Sequence, residues 1–220
     1  CSVDPDNVVV ETIGGNNLCG DQVDVIEPAT LIIIKDAQPD SAQDFSFTTT
    51  GGLSPALFSL DDDADGTLSN TQTYNNLGAG IYSVTEGAVA GWDSIVSCTN
   101  VAGAPHDPAS ILLDAGETVT CTFTNIAKGH LIVQKTTYPN GDLTEFPITA
   151  SGNGTITAPT ASTITDALDN DYEVTPGTYS VTEDLTNLPL WQEVSNDCDD
   201  IVVGAGETKT CTIVNKKAAH

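Results

Sequence analysis

Ala115-Gly-Glu-Thr-Val-Thr-Cys-Thr-Phe-Thr-Asn125 returns later in the chain as Ala205-Gly-Glu-Thr-Lys-Thr-Cys-Thr-Ile-Val-Asn215. The two blocks agree at 8 of 11 positions, so the chain contains a true repeat and not a coincidence of composition. Residues two apart on a strand point to the same face. Cys121, Phe123 and Asn125 therefore share one side, as do Cys211, Ile213 and Asn215. Both blocks read as β-strands whose apolar, core-facing row ends on an asparagine.

Two further pairs of segments match in the same way. Leu31-Ile-Ile-Ile-Lys35 corresponds to Leu131-Ile-Val-Gln-Lys135, and Tyr82-Ser-Val-Thr-Glu86 to Tyr179-Ser-Val-Thr-Glu183. Alternation places each lysine and each glutamate on the apolar row of its strand. A buried lysine or glutamate is costly unless it is paired. Lys35, Glu86 and Asn125 thus form one candidate triad, and Lys135, Glu183 and Asn215 a second.

Thr, Val and Ile are abundant, and Gly, Pro, Asn and Asp punctuate short apolar runs. No stretch sustains a helical period, so the chain reads as all-β. Its 220 residues leave room for two domains, each able to bury a core. The spacing of the repeats predicts an N-terminal strand-rich extension over residues 1–28 and two β-sandwich domains over 29–128 and 129–220. The joint Ala127-Lys128-Gly129-His130 is too short for a flexible tether, which predicts a stiff head-to-tail pair.

Net charge is −25, with only six lysines and arginines. That excludes nucleic acid, whose phosphates demand basic side chains, and anionic membrane surfaces. It favours solubility, divalent cations or a salty medium. No apolar run approaches the roughly 20 residues of a membrane span. The chain opens at Cys1 without a methionine or a visible signal peptide, which is expected of a mature or trimmed product.

The six cysteines fall into three ordered pairs: Cys1 with Cys19, Cys98 with Cys121, and Cys198 with Cys211. The last two pairs occupy the same place in each repeat. No pair has the short spacing of a zinc or redox motif, so disulfides in an oxidising compartment are expected. A bridge closing some two dozen residues contributes about 3 kcal/mol on a chain-entropy basis. Residues 1–28 carry strand-forming runs at Val8–Val10 and Val23–Ile26 but too little apolar mass for a core of their own. They mimic the closing part of a repeat whose body is missing, so either a longer chain was cut or the segment pairs with something else.

The ordered set resembles the collagen-adhesin B-type domain: a lysine ending the first strand, a Y-x-V-x-E segment, an aromatic soon after (Trp92, Trp191), and an asparagine closing the last strand. The resemblance covers both repeats and omits residues 1–28. It implies a prealbumin-like, Ig-like sandwich of the kind found in bacterial surface adhesins and pilins. It also implies internal isopeptide bonds, Lys35 to Asn125 promoted by Glu86 and Lys135 to Asn215 promoted by Glu183. The cysteine pairs lie outside the usual family pattern.

Elementary chemistry agrees with that implication. Burial disfavours charged amines and charged carboxylates alike. A neutral lysine amine is a nucleophile and a carboxamide its electrophile. A carboxylic acid between them can polarise the amide oxygen and pass protons to leaving ammonia. Such a step happens once per molecule and is maturation, not turnover. The same residues also fit a buried Lys–Glu ion pair with the asparagine as a hydrogen-bond partner.

Asp61-Asp-Asp-Ala-Asp65-Gly66 contains the opening of an EF-hand calcium loop, with Asp61, Asp63 and Asp65 as candidate Ca2+ ligands. Gln72 stands where the loop's bidentate glutamate belongs, and no helices flank it, so a solvated acidic turn fits as well. Asn153-Gly-Thr155 is a lone glycosylation sequon. His106, His130 and His220 are scattered, and no serine sits in a nucleophile-elbow context. The expected role is therefore structural: a secreted, non-enzymatic subunit of an extracellular or cell-surface filament, self-associating into a homopolymer through residues 1–28. The alternative is a stalk or binding module of a surface adhesin. An adhesive site should expose an aromatic or apolar patch, and the few aromatics lie mostly in motif strands.

Overall fold

Strict alternation organises the computed structural model, which describes residues 27–63, 65–157 and 159–218. All regular elements among the described residues are strands. The first half contains β1 (Ala29–Gln38), β2 (Phe45–Thr50), β3 (Leu57–Leu60), β4 (Thr71–Leu77), β5 (Gly80–Glu86), β6 (Trp92–Asn100), β7 (Pro105–His106), β8 (Ile111–Leu113) and β9 (Thr118–Ala127). The second contains β10 (Gly129–Tyr138), β11 (Phe146–Gly152), β12 (Ala161–Ile164), β13 (Asp169–Val174), β14 (Gly177–Glu183), β15 (Trp191–Asn196), β16 (Ile201–Val203) and β17 (Thr208–Lys217). The predicted all-β class is what the structure shows. No helix among the described residues is long and apolar enough to cross a membrane.

Each half is a two-sheet sandwich. Sheet order is β4-β1-β9-β6-β7 facing β3-β2-β5-β8 in the first half, and β13-β10-β17-β15 facing β12-β11-β14-β16 in the second. Most pairings are antiparallel. The exceptions are the first and last long strands of each half, β1 with β9 and β10 with β17, which run parallel side by side. Every second residue of β1 points into the core, giving Ala29, Leu31, Ile33, Lys35 and Ala37, and β9 contributes Val119, Cys121, Phe123, Asn125 and Ala127. Leu131, Val133, Phe146, Ile148, Tyr179, Val181, Cys211 and Ile213 play the same part in the second half. At about 25 cal/mol per Å² of apolar surface removed from water, these rows hold the sheets face to face.

A disulfide ties β6 to β9 through Cys98 and Cys121, which are direct cross-strand partners. A second joins Cys198 to Cys211 on β17. Cys1 and Cys19 lie outside the described residues, as does all but the end of the N-terminal extension.

Lys128 is the single residue between β9 and β10. Its amine donates to Glu173 Oε1 at 3.0 Å and lies 4.0 Å from Asp93 Oδ1. Its backbone N–H donates to the Gly91 carbonyl at 2.8 Å, and Gly206 N–H to the Ala127 carbonyl at 3.2 Å. Gly129 is required by space: a Cβ there would meet Val203 Cγ1 at 2.5 Å and the Glu207 carbonyl oxygen at 2.7 Å.

Candidate functional site

The period-2 pattern delivers a lysine and an asparagine from neighbouring strands into one core. Lys135 pairs in register with Ile213, and Asn215 stands two residues further along β17, on the same inward face. Glu183 ends β14 on the opposite sheet and closes the space from the other side. In the second half the three side chains meet. Lys135 Nζ donates to Glu183 Oε1 at 2.6 Å, and Asn215 Nδ2 to Glu183 Oε2 at 2.6 Å. The Lys135 and Glu183 side chains are both wholly enclosed, with 0% exposure.

Aromatic rings complete the enclosure. The Phe146 ring lies 4.2 Å from Lys135 Nζ, and Trp191 packs edge-on against it at 5.1 Å. Burial pulls the Lys135 amine below the usual lysine value, while the hydrogen bond and charge of Glu183 push back. Asn215 Oδ1 is buried and accepts no hydrogen bond. A half-turn of the carboxamide exchanges its nitrogen and oxygen, so the same contact also suits a protonated Glu183 donating to the carbonyl.

The first half assembles the same residues differently. Lys35 and Asn125 are buried at 1% and 2% exposure, and the Phe45 ring lies 4.0 Å from Lys35 Nζ. Yet Lys35 Nζ donates to two backbone carbonyls, Asp36 at 2.9 Å and Phe123 at 3.2 Å. Glu86 Oε2 accepts from Ser94 Oγ at 2.6 Å instead. Glu86 Oε1 and Asn125 Oδ1 are buried without hydrogen-bond partners. Burial lowers the Lys35 amine as well, opposed by the charges of Glu86, Asp36 and Asp62.

Phe45, Phe146 and Ser94 were not singled out in the sequence. The two phenylalanines do leave a trace, since each follows an acidic residue at the start of the second strand, Asp44-Phe45 and Glu145-Phe146. Ser94 leaves none, because the residue at its place in the second half is Glu193: Ser94 is opposite Asn125 and Glu193 opposite Asn215.

The acidic loop brings Asp61, Asp63 and Asp65 together, with carboxylate oxygens within 4.8 Å of one another. Internal hydrogen bonds shape it: Asp65 N–H donates to Asp63 Oδ1 at 2.8 Å and Thr67 N–H to Asp65 Oδ1 at 2.7 Å. Burial and the neighbouring carboxylates push Asp61 upward. Asp62 faces the other way and accepts from Ala37 N–H at 3.0 Å, anchoring the loop to β1. Asp166 makes the matching contact to Thr137 N–H at 2.6 Å.

An enclosed amine with a lowered pKa gives the fold a pH dependence wherever the amine stays free. Below the folded pKa the burial penalty is full, and it fades as pH rises toward the unfolded value of about 10.4. The double variant Asn125→Ala/Asn215→Ala, which lacks both carboxamides and keeps both amines, should therefore become more stable as the medium is made alkaline within that range. Urea unfolding midpoints at several pH values check this; a flat or falling profile would contradict it.

Models of the prealbumin-like fold domain match both halves, one over residues 31–127 and the other over residues 129–219. Among solved structures, the chain is similar to the major pilin of Streptococcus pyogenes at 17% identity, covering 88% of this chain and 99% of that one, with a TM-score of 0.30. The Bacillus anthracis TIE protein is 15% identical, covering 87% of this chain and 35% of that chain, with a TM-score of 0.32. A shaft pilin variant from Lactobacillus rhamnosus GG is 12% identical, covering 88% and 98%, with a TM-score of 0.30. No curated protein matches the chain in sequence. The two matched segments, each a sandwich with its own lysine, glutamate and asparagine, place this chain in the family of SpaA-type prealbumin-like fold domains, two of them in tandem.

Proposed function

We propose that this chain is a structural subunit of an extracellular filament, whose domains are sealed by Lys–Asn isopeptide bonds. The observation that carries the reading is the enclosed contact of Glu183 with both Lys135 and Asn215, each at 2.6 Å. In the reaction, the lone pair of a neutral Lys135 amine attacks Asn215 Cγ. The new C–N bond forms as the Cγ–Nδ2 bond breaks. The proton lost by the amine passes by way of Glu183 to the departing nitrogen, which leaves as ammonia. Lys35, Asn125 and Glu86 would do the same in the first domain. The step occurs once, so the role is structural and not that of a turnover enzyme.

Topology says what such a bond would do. The chain enters each domain on β1 or β10 and leaves on β9 or β17, and these two strands are neighbours. A bond from Lys35 to Asn125 would carry tension directly between the terminal strands and bypass the residues between them. The disulfides anchor the same exit strands, β9 and β17. A load-bearing polymer uses that arrangement; a diffusing protein has no need of it.

For assembly, we attribute self-association to residues 1–28 adding a strand to a neighbouring subunit. A suitable edge is present. The outer side of β6 is covered by β7 in the first domain, whereas β15 is the last strand of its sheet among the described residues. Head-to-tail addition that does not close on itself makes a fibre. The acidic loop is the remaining candidate: its oxygen donors suit calcium in kind.

Intact mass after full reduction should fall short of the sequence mass by one ammonia per bond; reduced protein at full mass sinks the reading. Glu183→Ala should retain the second ammonia and cost about 3–5 kcal/mol, because it leaves a buried amine unpaired. Deleting residues 1–28 should leave folded, cross-linked domains that sediment as monomers, and filaments from the truncated chain would move the assembly contacts to the domain faces. Millimolar calcium should raise the melting temperature of the wild type and not of Asp63→Asn/Asp65→Asn. An equal shift in both, or none, rules the ion out.

A further inference from the structure

The two domains carry the same three residues and hold them in different states. In the second, Glu183 touches both reacting groups. In the first, Glu86 gives one oxygen to Ser94 at 2.6 Å while the other is buried without a partner. Lys35 is held by the Asp36 and Phe123 carbonyls; the carboxamide oxygen is unengaged in both domains. The aromatic surroundings of the two amines match. The ring beneath the amine is 4.0 Å away in one and 4.2 Å in the other. The tryptophan stands edge-on to that ring at 5.3 Å and 5.1 Å.

Ser94 is the point of difference. It sits on β6 directly opposite Asn125, where the second domain has Glu193 opposite Asn215. A serine hydroxyl can donate to a carboxylate; a glutamate side chain at the same place, when ionised, cannot. Its hydroxyl therefore ties one Glu86 oxygen to β6, while the Lys35 amine donates to backbone carbonyls and not to Glu86. A hydrogen bond to a charged acceptor is among the stronger polar contacts in proteins. To hold both groups as Glu183 does, with one oxygen on each, Glu86 must give up that bond, and Lys35 must leave two carbonyls. Neither rearrangement is needed in the second domain.

We infer that Ser94 is a positioning residue that withholds Glu86 from the Lys35–Asn125 pair, so that the first domain seals after the second. This rests on the reading of each triad as bond-forming. The consequence is an order of maturation: one domain cross-links on folding, and the other stays uncross-linked for a time after synthesis. Such a subunit would be half stiffened and half extensible while it is young.

The test is a time course on the full chain made by cell-free synthesis under oxidising conditions. Samples are quenched in acid, digested, and the Lys35–Asn125 and Lys135–Asn215 cross-linked peptides quantified by mass spectrometry. The wild type should form the second link first. Ser94→Ala should speed the first link roughly tenfold, the factor expected for losing one hydrogen bond to a charged group, and leave the second unchanged. Ser94→Thr, which keeps the hydroxyl, should restore the delay. Formation of the Cys98–Cys121 disulfide at an unchanged rate shows that the variants fold alike. Equal rates for the two links in the wild type, or no acceleration in Ser94→Ala, overturns the inference while leaving the bonds intact. Absence of both links at all times overturns the bond reading itself, and the order of sealing with it.

Discussion

A lysine amine shut between two sheets governs the architecture of each domain. Strand alternation leaves Lys35 and Lys135 no exit, since each follows two inward aliphatic residues on a strand near the middle of its sheet. An amine there cannot borrow hydrogen bonds from water, so the protein must supply all of its partners. In both domains an aromatic ring from the second strand lies against the amine; a glutamate of the facing sheet accepts from it in the second domain, and backbone carbonyls do so in the first. Their types follow from that need: a π-face, a carboxylate and backbone carbonyl oxygens are all electron-rich groups that an enclosed amine can touch.

The two domains answer the same need by different routes. In the second, the amine and the asparagine share one carboxylate, an oxygen each. In the first, backbone carbonyls take the amine and a surface serine takes the carboxylate. Carbonyl oxygens carry partial charge only, so the Lys35 amine rests in a weaker field than a direct ion pair would give it. Two buried acceptors, Glu86 Oε1 and Asn125 Oδ1, are left bare. Unsatisfied buried polar atoms are uncommon in folded proteins and mark places where a structure has more to do.

Mechanical sense and chemical sense coincide in the parallel strand pair. Parallel pairing of first and last strands puts the entry and exit of each domain in one sheet, with the buried lysine and asparagine two register positions apart. Disulfides then fasten the exit strands to the rest of the body. Between the domains only Lys128 is unpaired with either sheet, and its amine reaches acidic residues on both sides. The large acidic excess, a net charge of −25, makes two copies of such a chain repel each other at close range.

Much of this was legible in the residues. A repeat with period-2 rows announces paired strands, and a polar residue ending an apolar row announces burial; Lys35, Asn125, Lys135 and Asn215 are all found buried. Cysteines at matching places in the two repeats announced the bridges at Cys98–Cys121 and Cys198–Cys211. These features are local, encoded between residues two apart or copied whole from one repeat to the other. Tertiary structure alone decided which groups touch. It set Phe45 and Phe146 beneath the amines, capped β6 with β7 while leaving β15 at an edge among the described residues, and turned Glu86 to Ser94 but Glu183 to Lys135 and Asn215. The physical reason is that a hydrogen-bond partner is chosen across sheets, by register and rotamer between segments far apart in the chain. Identical motifs on two sandwiches thereby acquire different neighbours.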